Sequence, residues 1–155
     1  LHEALQAYQE SLALRRQLHA SHGNTPQVLR DLSVSLANMA DAEVNAGRLE
    51  AAMHACTESL ALSRQLRAIL GDTPQVLRDL AFDLKKIGNI ERKVGHLQAA
   101  LAAHRESLAL ATQLHASLGA TPQTTSDLND ARQNLQATEA LLANQQSALP
   151  TASAE

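Results

Sequence analysis

Apolar and polar residues alternate along most of the chain with the period of an amphipathic helix. In the first segment the apolar positions follow i, i+3, i+4, i+7 spacing: Leu1, Ala4, Leu5, Tyr8, Leu12 and Leu18. This spacing puts them on one face and predicts a helix over residues 1–22. The same pattern predicts helices over residues 26–46, 49–70, 74–94, 97–118 and 122–143. Because the connections are only two to four residues long, neighbouring helices are expected to run antiparallel.

The predicted helix boundaries rest on turn residues. Gly23 is expected to end the first helix in a left-handed conformation. Thr25 is expected to cap the second helix, with Pro26 at its first position, where the missing N–H costs no hydrogen bond.

The same turn recurs because the sequence repeats. Residues 71–80 are nearly identical to residues 23–32 and are partly repeated in residues 119–128, so each copy begins 48 positions after the last. Residues 1–48 and 49–96 share 24 identical positions. We therefore divide a repeat domain, residues 1–143, into copies 1–48, 49–96 and 97–143. The tail, residues 144–155, has no apolar period and is expected to be frayed.

A single helix pair cannot cover its own apolar face, so successive pairs are expected to stack. The predicted fold is an all-α solenoid of three antiparallel helical hairpins. The helix over residues 1–22 lacks the partner that precedes its equivalents in the later copies. We therefore expect an open apolar flank on this helix.

The joint between the second and third helices, and its copy, resembles the signature of the tetratricopeptide repeat family. The matching positions are Met39, Ala40, Glu43, Gly47, Leu49, Ala52, Cys56, Ser59 and Leu60, and then Ile87, Gly88, Glu91, Gly95, Leu97, Ala100, His104, Ser107 and Leu108. The small pairs, Ala40 with Ala52 and Gly88 with Ala100, would let two helix axes approach closely. The resemblance covers residues 1–119 and implies a right-handed solenoid.

The chain also departs from the family pattern. Its period is 48 rather than about 34, as in the longer-repeat bacterial and kinesin-light-chain-like branch. Cys56 and His104 stand where an aromatic residue is usual. Gln136 and Ala143 replace the small residue and the glycine in the last copy, so residues 122–143 are interpreted as a diverged end helix.

One polar stripe of the helix over residues 74–94 is a candidate binding surface. Arg78, Phe82, Lys85, Asn89 and Arg92 follow one another at spacings of 4, 3, 4 and 3, so they share a side roughly opposite the leucines. A solvated face with alternating charge is the alternative interpretation. In the family that the chain resembles, the first helix of each pair lines a groove that holds a partner peptide. In the two signatures given above, that first helix is the one over residues 26–46 and the one over residues 74–94.

That resemblance implies a non-catalytic scaffold for a protein or peptide partner. Phe82 among basic neighbours would suit an acidic peptide or a C-terminal carboxylate. The candidate partner-binding residues are Val34, Arg78, Phe82, Lys85, Asn89, Arg92, Lys93, Asp130 and Gln133. Lys85 and Asn89 match part of the family's carboxylate clamp, but Val34 and Asp130 do not supply its remaining cations.

Composition excludes several classes of protein. The formal net charge of −3 provides no basic footprint for nucleic acid, and the single Cys56 excludes an intramolecular disulfide. No signal peptide and no membrane-spanning apolar run is present. We therefore expect a cytoplasmic protein that binds neither nucleic acid nor membrane. Because the chain begins with Leu1, we expect it to be part of a longer polypeptide.

No residue pattern indicates catalysis, a cofactor or a metal site. His19 and His22 lie one turn apart without an acidic residue at ligand spacing, while Cys56 and His104 fall at core positions. The recurrent Glu43, Glu91 and Glu139 fall on the apolar stripe, where each would need a hydrogen-bond partner if buried. We predict a chain that is not an enzyme.

Two other functions remain open from the sequence. The open flank of residues 1–22 and the diverged end helix could pack against other copies, either head to tail or about a two-fold axis. Alternatively, the repeats could form the regulatory sensor section of a larger multidomain protein.

Overall fold

A computed structural model describes residues 2–148, with side chains from Leu5 onward. Six α-helices and no strand occur in this range: α1 His2–His22, α2 Pro26–Asn45, α3 Leu49–Leu70, α4 Pro74–Val94, α5 Leu97–Leu118 and α6 Pro122–Ala148. The prediction of an all-α fold of six helices is confirmed. The helix ends agree with the predicted ones to within a residue, except at the end of α6.

Helix α6 continues through Ala148, so residues 144–148 of the expected frayed tail are helical. The sequence Asn144-Gln145-Gln146-Ser147-Ala148 contains neither proline nor glycine, and nothing in it stops a helix that is already formed. The rest of the predicted tail, residues 149–155, lies outside the described residues.

The repeated Thr-Pro turn starts the helices as expected. Thr25 and Thr73 have extended backbones, and each side-chain oxygen accepts a hydrogen bond from the backbone N–H three residues later, at 3.4 Å. Gly95 ends α4 in the left-handed conformation, with φ 88°. Residues with a side chain rarely adopt this backbone conformation, which explains why a glycine stands at this position.

Each helix packs against the next one along the chain. The most extensive contacts join α2 to α3 and α4 to α5, and α4 also touches α6. Leucines from the first five helices form one core cluster, for example Leu29, Leu66 and Leu77. A smaller cluster, formed by Ala111, Leu128 and Ala131, attaches α6 to α5. Helices α2, α4 and α6 present neighbouring surfaces, because α4 contacts α6 and Arg30 of α2 lies 3.6 Å from Asp79 of α4.

The small residues of the helix joints are buried, as predicted. Ala40, Ala52, Gly88 and Ala100 are all inaccessible or nearly so. A Cβ added to Gly88 would stand 2.5 Å from His104 Cε1, which is far inside van der Waals contact. The imidazole of α5 therefore lies directly against the backbone of α4, and the absence of a side chain at Gly88 makes this contact possible.

The apolar stripe of α1 is only partly covered. Leu5 and Leu12 are buried, but Tyr8 and Leu18 are exposed, in agreement with the expected open apolar flank of this helix. In residues 2–148 no helix covers the side of α1 on which these two side chains lie. Leu1 and the side chain of Ala4 lie outside the described residues. Within the described range, no helix is sufficiently long and apolar to cross a membrane.

Candidate functional site

Helix α4 supplies most of the candidate surface. Its amphipathic pattern buries Leu77, Leu80 and Leu84 and leaves the predicted stripe of Arg78, Phe82, Lys85, Asn89 and Arg92 outside the core. We call these five residues the α4 stripe. Because α4 lies between α2 and α6, the stripe faces clefts on both sides.

Phe82 is the apolar centre of the stripe. Its side chain is 43% exposed, an unusual state for the only phenylalanine of the chain. The ammonium groups of Lys85 and Lys86 lie 5.2 and 4.6 Å from the ring centroid, within cation–π range. Val34 of α2 is also exposed and lines a cleft of about 190 Å³ together with Phe82. An apolar side chain of a ligand could contact both residues.

The wider cleft lies between α4 and α6 and has a volume of about 400 Å³. Arg78, Phe82 and Lys85 form one wall, and Asp127 and Asp130 form the other. Side chains of α5 form its floor: Ser107, Ala111 and Leu114. Three predicted residues of α4 and one of α6 are thus brought together in this cleft.

A third cleft, of about 270 Å³, also lies between α2 and α4, toward the C-terminal end of α4. Asn89, Arg92 and Lys93 line it together with Lys86. Its remaining lining is mostly apolar: Ala40, Val44, Cys56 and Ile90. We call this the α2–α4 cleft. Among the predicted residues, only the exposed Gln133 lies in none of these three clefts.

Most cations of the surface already face a carboxylate on the neighbouring helix. Arg78 lies 3.4 Å from Asp127, and Lys85 lies 3.9 Å from Asp130. A third pair joins Arg30 to Asp79 at 3.6 Å. These partly exposed pairs contribute little stability. They do neutralise the surface that was expected to attract an acidic peptide.

The α2–α4 cleft keeps the least compensated cations. Lys86 pairs with Asp41 at 2.7 Å, whereas Arg92, among the described residues, donates only to neutral oxygens, those of Asn89 and Asn134. Lys93 is exposed, and no carboxylate within residues 5–148 forms an ion pair with it. Any preference for an acidic group is therefore concentrated at this end of the surface.

The sequence interpretation missed one functional candidate, Asp83. This carboxyl group is 3% exposed and accepts hydrogen bonds from Ser59 Oγ at 2.8 Å and Ser63 Oγ at 2.7 Å. Ser59 Oγ is also 3.1 Å from the carbonyl of Ser33. Burial raises the pKa of Asp83 to about 6, although both serine hydrogen bonds oppose the shift. A protonated Asp83 could donate to Ser59, which would free the serine proton for Ser33.

A sequence signal for Asp83 does exist. It falls on the apolar face of α4, three residues after Leu80 and one before Leu84. The copies carry Ser35 and Ala131 at the equivalent positions, so the acid interrupts the repeat. The two serines that hold it lie on another helix and could not be inferred from α4 alone.

Cys56 and His104 are buried, as the sequence predicted. Burial raises the pKa of the Cys56 thiol to about 11, so it is a poor nucleophile at neutral pH. Burial, together with the charge of Arg92, lowers the pKa of His104 to about 4. The two side chains lie in different helix joints. In the part of the chain that the structure describes, no group of three acidic, histidine or cysteine side chains could hold a metal ion.

The recurrent glutamates have partners at the helix joints. Arg48 donates to the buried Glu43, and the imidazole of His96 lies 2.8 Å from the carboxylate of Glu91. Glu139 is half exposed and lies 3.8 Å from Arg105, so its prediction as a core residue is wrong. Within residues 2–148 no further helix packs on the outer side of α6, so Glu139 faces solvent.

No protein-family model matches the chain, and no curated protein sequence matches it.

Proposed function

We propose that the chain is a section of a right-handed, tetratricopeptide-like solenoid with a 48-residue repeat, of the longer-repeat branch. The sequential helix contacts and the buried small residues at both joints support this proposal. So do the matching ion pairs Arg30–Asp79 and Arg78–Asp127, in which each residue is one repeat away from its counterpart.

We further propose that this solenoid is a non-catalytic scaffold that binds a peptide or protein partner along α2, α4 and α6. The observation that carries the proposal is the exposed Phe82, which lines the cleft toward Val34 and the cleft toward Asp130. A half-exposed aromatic ring flanked by concave surfaces on a rigid helix is typical of an interaction anchor.

The preferred ligand has an apolar side chain that contacts Phe82 and an acidic group near Arg92 and Lys93. The α4–α6 cleft is close to charge balance, so it would select for shape and hydrogen bonding more than for charge. The α2–α4 cleft would accept the acidic group, because its apolar lining weakens the screening of Arg92 by water.

The test begins with peptides selected from a random display library on the immobilised protein. Affinities of the selected peptides are then measured by calorimetry for the native chain and for Phe82→Ala. We expect at least about a tenfold loss of affinity. Leu118→Ala is the matched control, because Leu118 is exposed to the same extent, 43%, but lines none of the three clefts.

Both variants should keep the helicity and melting temperature of the native chain, since both side chains lie largely outside the core. If the selected peptides bind Phe82→Ala as tightly as they bind the native protein, the α4 stripe is not the binding site.

A further inference from the structure

The cleft between Val34 and Phe82 has a buried acid in its floor. Ser59 and Ser63 of α3 form this floor together with the carboxyl group of Asp83, to which both serines donate hydrogen bonds. Its volume of about 190 Å³ equals that of roughly six water molecules, so it admits no more than one side chain of a ligand. We call it the Asp83 cleft.

The repeat equivalent of the Asp83 cleft is the α4–α6 cleft, and the two differ in charge. In the α4–α6 cleft, Lys85 of one wall pairs with Asp130 of the other. The equivalent positions in the Asp83 cleft carry Ala37 and Phe82, so two apolar side chains replace this ion pair. The place that a lysine of the chain holds in one cleft is therefore left to the ligand in the other.

The floors of the two clefts also differ. Asp83 and Ser63 correspond to Ala131 and Ala111 of the α4–α6 cleft. Because the α4–α6 cleft forms with alanine at both positions, the stacking of the helices does not require the acid or its serine. The Asp83 cleft has thus lost a cation and gained a carboxyl group.

The charge of Asp83 is incompletely compensated. Its two hydrogen bonds come from neutral hydroxyl groups, and among the described residues no lysine or arginine lines the cleft. The charge of Lys86 acts on this carboxyl group, but its ammonium group already binds Asp41 at 2.7 Å and the carbonyl oxygen of Ala37 at 2.8 Å. A buried carboxylate without a counter-charge is costly, which agrees with the raised pKa of Asp83.

A second carboxylate lines the same cleft. Asp79 Oδ1 accepts a hydrogen bond from Gln75 at 2.7 Å, whereas its buried Oδ2 has no hydrogen-bond donor within residues 5–148. Arg30 Nε stands 3.6 Å from Oδ2, which is beyond hydrogen-bond distance. A cation that enters the cleft therefore meets two carboxylates whose charges are only partly matched.

The walls above the floor suit the stem of a long basic side chain. Val34 and Phe82 are both about half exposed and apolar. Lysine and arginine pack their aliphatic stems on such surfaces while the charged end reaches a polar site. A cation near the ring gains further from cation–π attraction. An acidic side chain would be repelled here, and an apolar one would leave both carboxylates uncompensated.

We propose that the Asp83 cleft is a specificity pocket for a lysine or arginine side chain of the peptide that binds along α2, α4 and α6. This inference rests on the proposed function and adds a basic residue to the ligand. The stem lies between Val34 and Phe82, and the charged end reaches Asp83. The apolar side chain of the ligand then lies on the α4–α6 side of Phe82.

The spacing of the ligand's charges follows from the helix. Asp83 and Arg92 are nine residues apart on α4, which is roughly 14 Å along its axis. An extended peptide covers that distance in about four residues. The basic residue of the ligand should therefore stand about four positions from the acidic residue that Arg92 and Lys93 accept.

The test selects peptides from a random display library in parallel on the native chain, Asp83→Asn and Glu106→Gln. Glu106→Gln is the matched control, because it removes a carboxylate from an exposed position that lines none of the three clefts. Peptides selected on the native chain and on the control should share a lysine or arginine at the expected spacing from an acid. Peptides selected on Asp83→Asn should show no enrichment of this basic residue.

Calorimetry then measures the contact itself. The basic residue of a selected peptide is replaced by norleucine, which keeps an aliphatic stem without the charge. We expect at least about a tenfold loss of affinity for the native chain and no comparable loss for Asp83→Asn. The double variant Asp83→Ala, Ser63→Ala copies the alanines of the α4–α6 cleft, and it should behave like Asp83→Asn. Circular dichroism checks that each variant keeps the helicity of the native chain.

Failure of this inference and failure of the proposed function give different results. Selected peptides that depend on Phe82 but carry no enriched basic residue would overturn the inference and leave the binding surface in place. So would an equal effect of norleucine on the native chain and on both Asp83 variants. If no selected peptide depends on Phe82, the proposed function fails, and the inference fails with it.

Discussion

The contact between Gly88 and His104 gives a prediction about stability. The substitution Gly88→Ala should destabilise the protein when His104 is present and stabilise it when the ring is absent. Alanine is more favourable than glycine in a helix interior by about 0.8–1.0 kcal/mol. A Cβ at Gly88, however, would stand 2.5 Å from Cε1 and 2.7 Å from both nitrogens of the His104 ring. Overpacking of a filled site costs about 1–3 kcal/mol. Gly88→Ala should therefore lower the free energy of unfolding by about 1 kcal/mol.

The same substitution should stabilise the protein when the ring is absent. His104→Cys combined with Gly88→Ala recreates the pair that the chain already uses at Ala40 and Cys56. In the His104→Cys background Gly88→Ala gains the helix preference without the clash, so the free energy of unfolding should rise by about 1 kcal/mol. The coupling between the two positions is then about 2 kcal/mol, well within the range of residues in direct contact.

Urea unfolding followed by far-ultraviolet circular dichroism measures all four members of the cycle. Ala40→Gly is the matched control, and it should cost about 1 kcal/mol because Cys56 leaves no clash to relieve. Equal effects of Gly88→Ala in both backgrounds, to within about 0.5 kcal/mol, would refute the contact.

The shifted pKa values of Asp83 and His104, and the helix crossing at Ala52, give further predictions. Burial raises the pKa of Asp83 from 3.8 to about 6, so the folded state holds this proton more tightly, and the contribution to stability falls as pH rises from about 4 to 6. Asp83→Asn should remove that fall and increase the urea midpoint at pH 7. The pKa of His104 is lowered from 6.5 to about 4. The neutral imidazole therefore contributes to the stability of the folded state above pH 6.5, and this contribution is lost as pH falls toward 4. His104→Gln should flatten this loss, measured in the Asp83→Asn background, which removes the opposing titration of Asp83. Ala52→Leu should lower the melting temperature strongly, because Ala52 is fully buried at the joint of α2 and α3, and a fully stable variant would contradict the close crossing.

The helices and their ends were predictable because their signals are local. Thr25 and Pro26, with their copies, specify where a helix begins, and the leucine spacing specifies which face is buried. The end of α6 was missed because a polar segment without glycine or proline can continue a helix that is already formed.

The chemistry of the candidate surface was less predictable because it depends on how the helices stack. The stripe on α4 followed from spacing within one helix. Its pairs with Asp127 and Asp130 span 49 and 45 positions and depend on the offset between α4 and α6. Similarly, Asp83 was visible as an acid on an apolar face, but only the packing of α3 shows that Ser59 and Ser63 hold it.

Nuclear magnetic resonance mapping of a selected peptide on the isotopically labelled chain tests the proposed binding function most directly. The account predicts that the largest amide and side-chain shifts lie at Phe82, Lys85 and Asn89, continue to Arg92, and include Val34 across the cleft. Shifts confined to α1, or spread over residues outside the clefts, would contradict the proposal that α2, α4 and α6 form the binding surface.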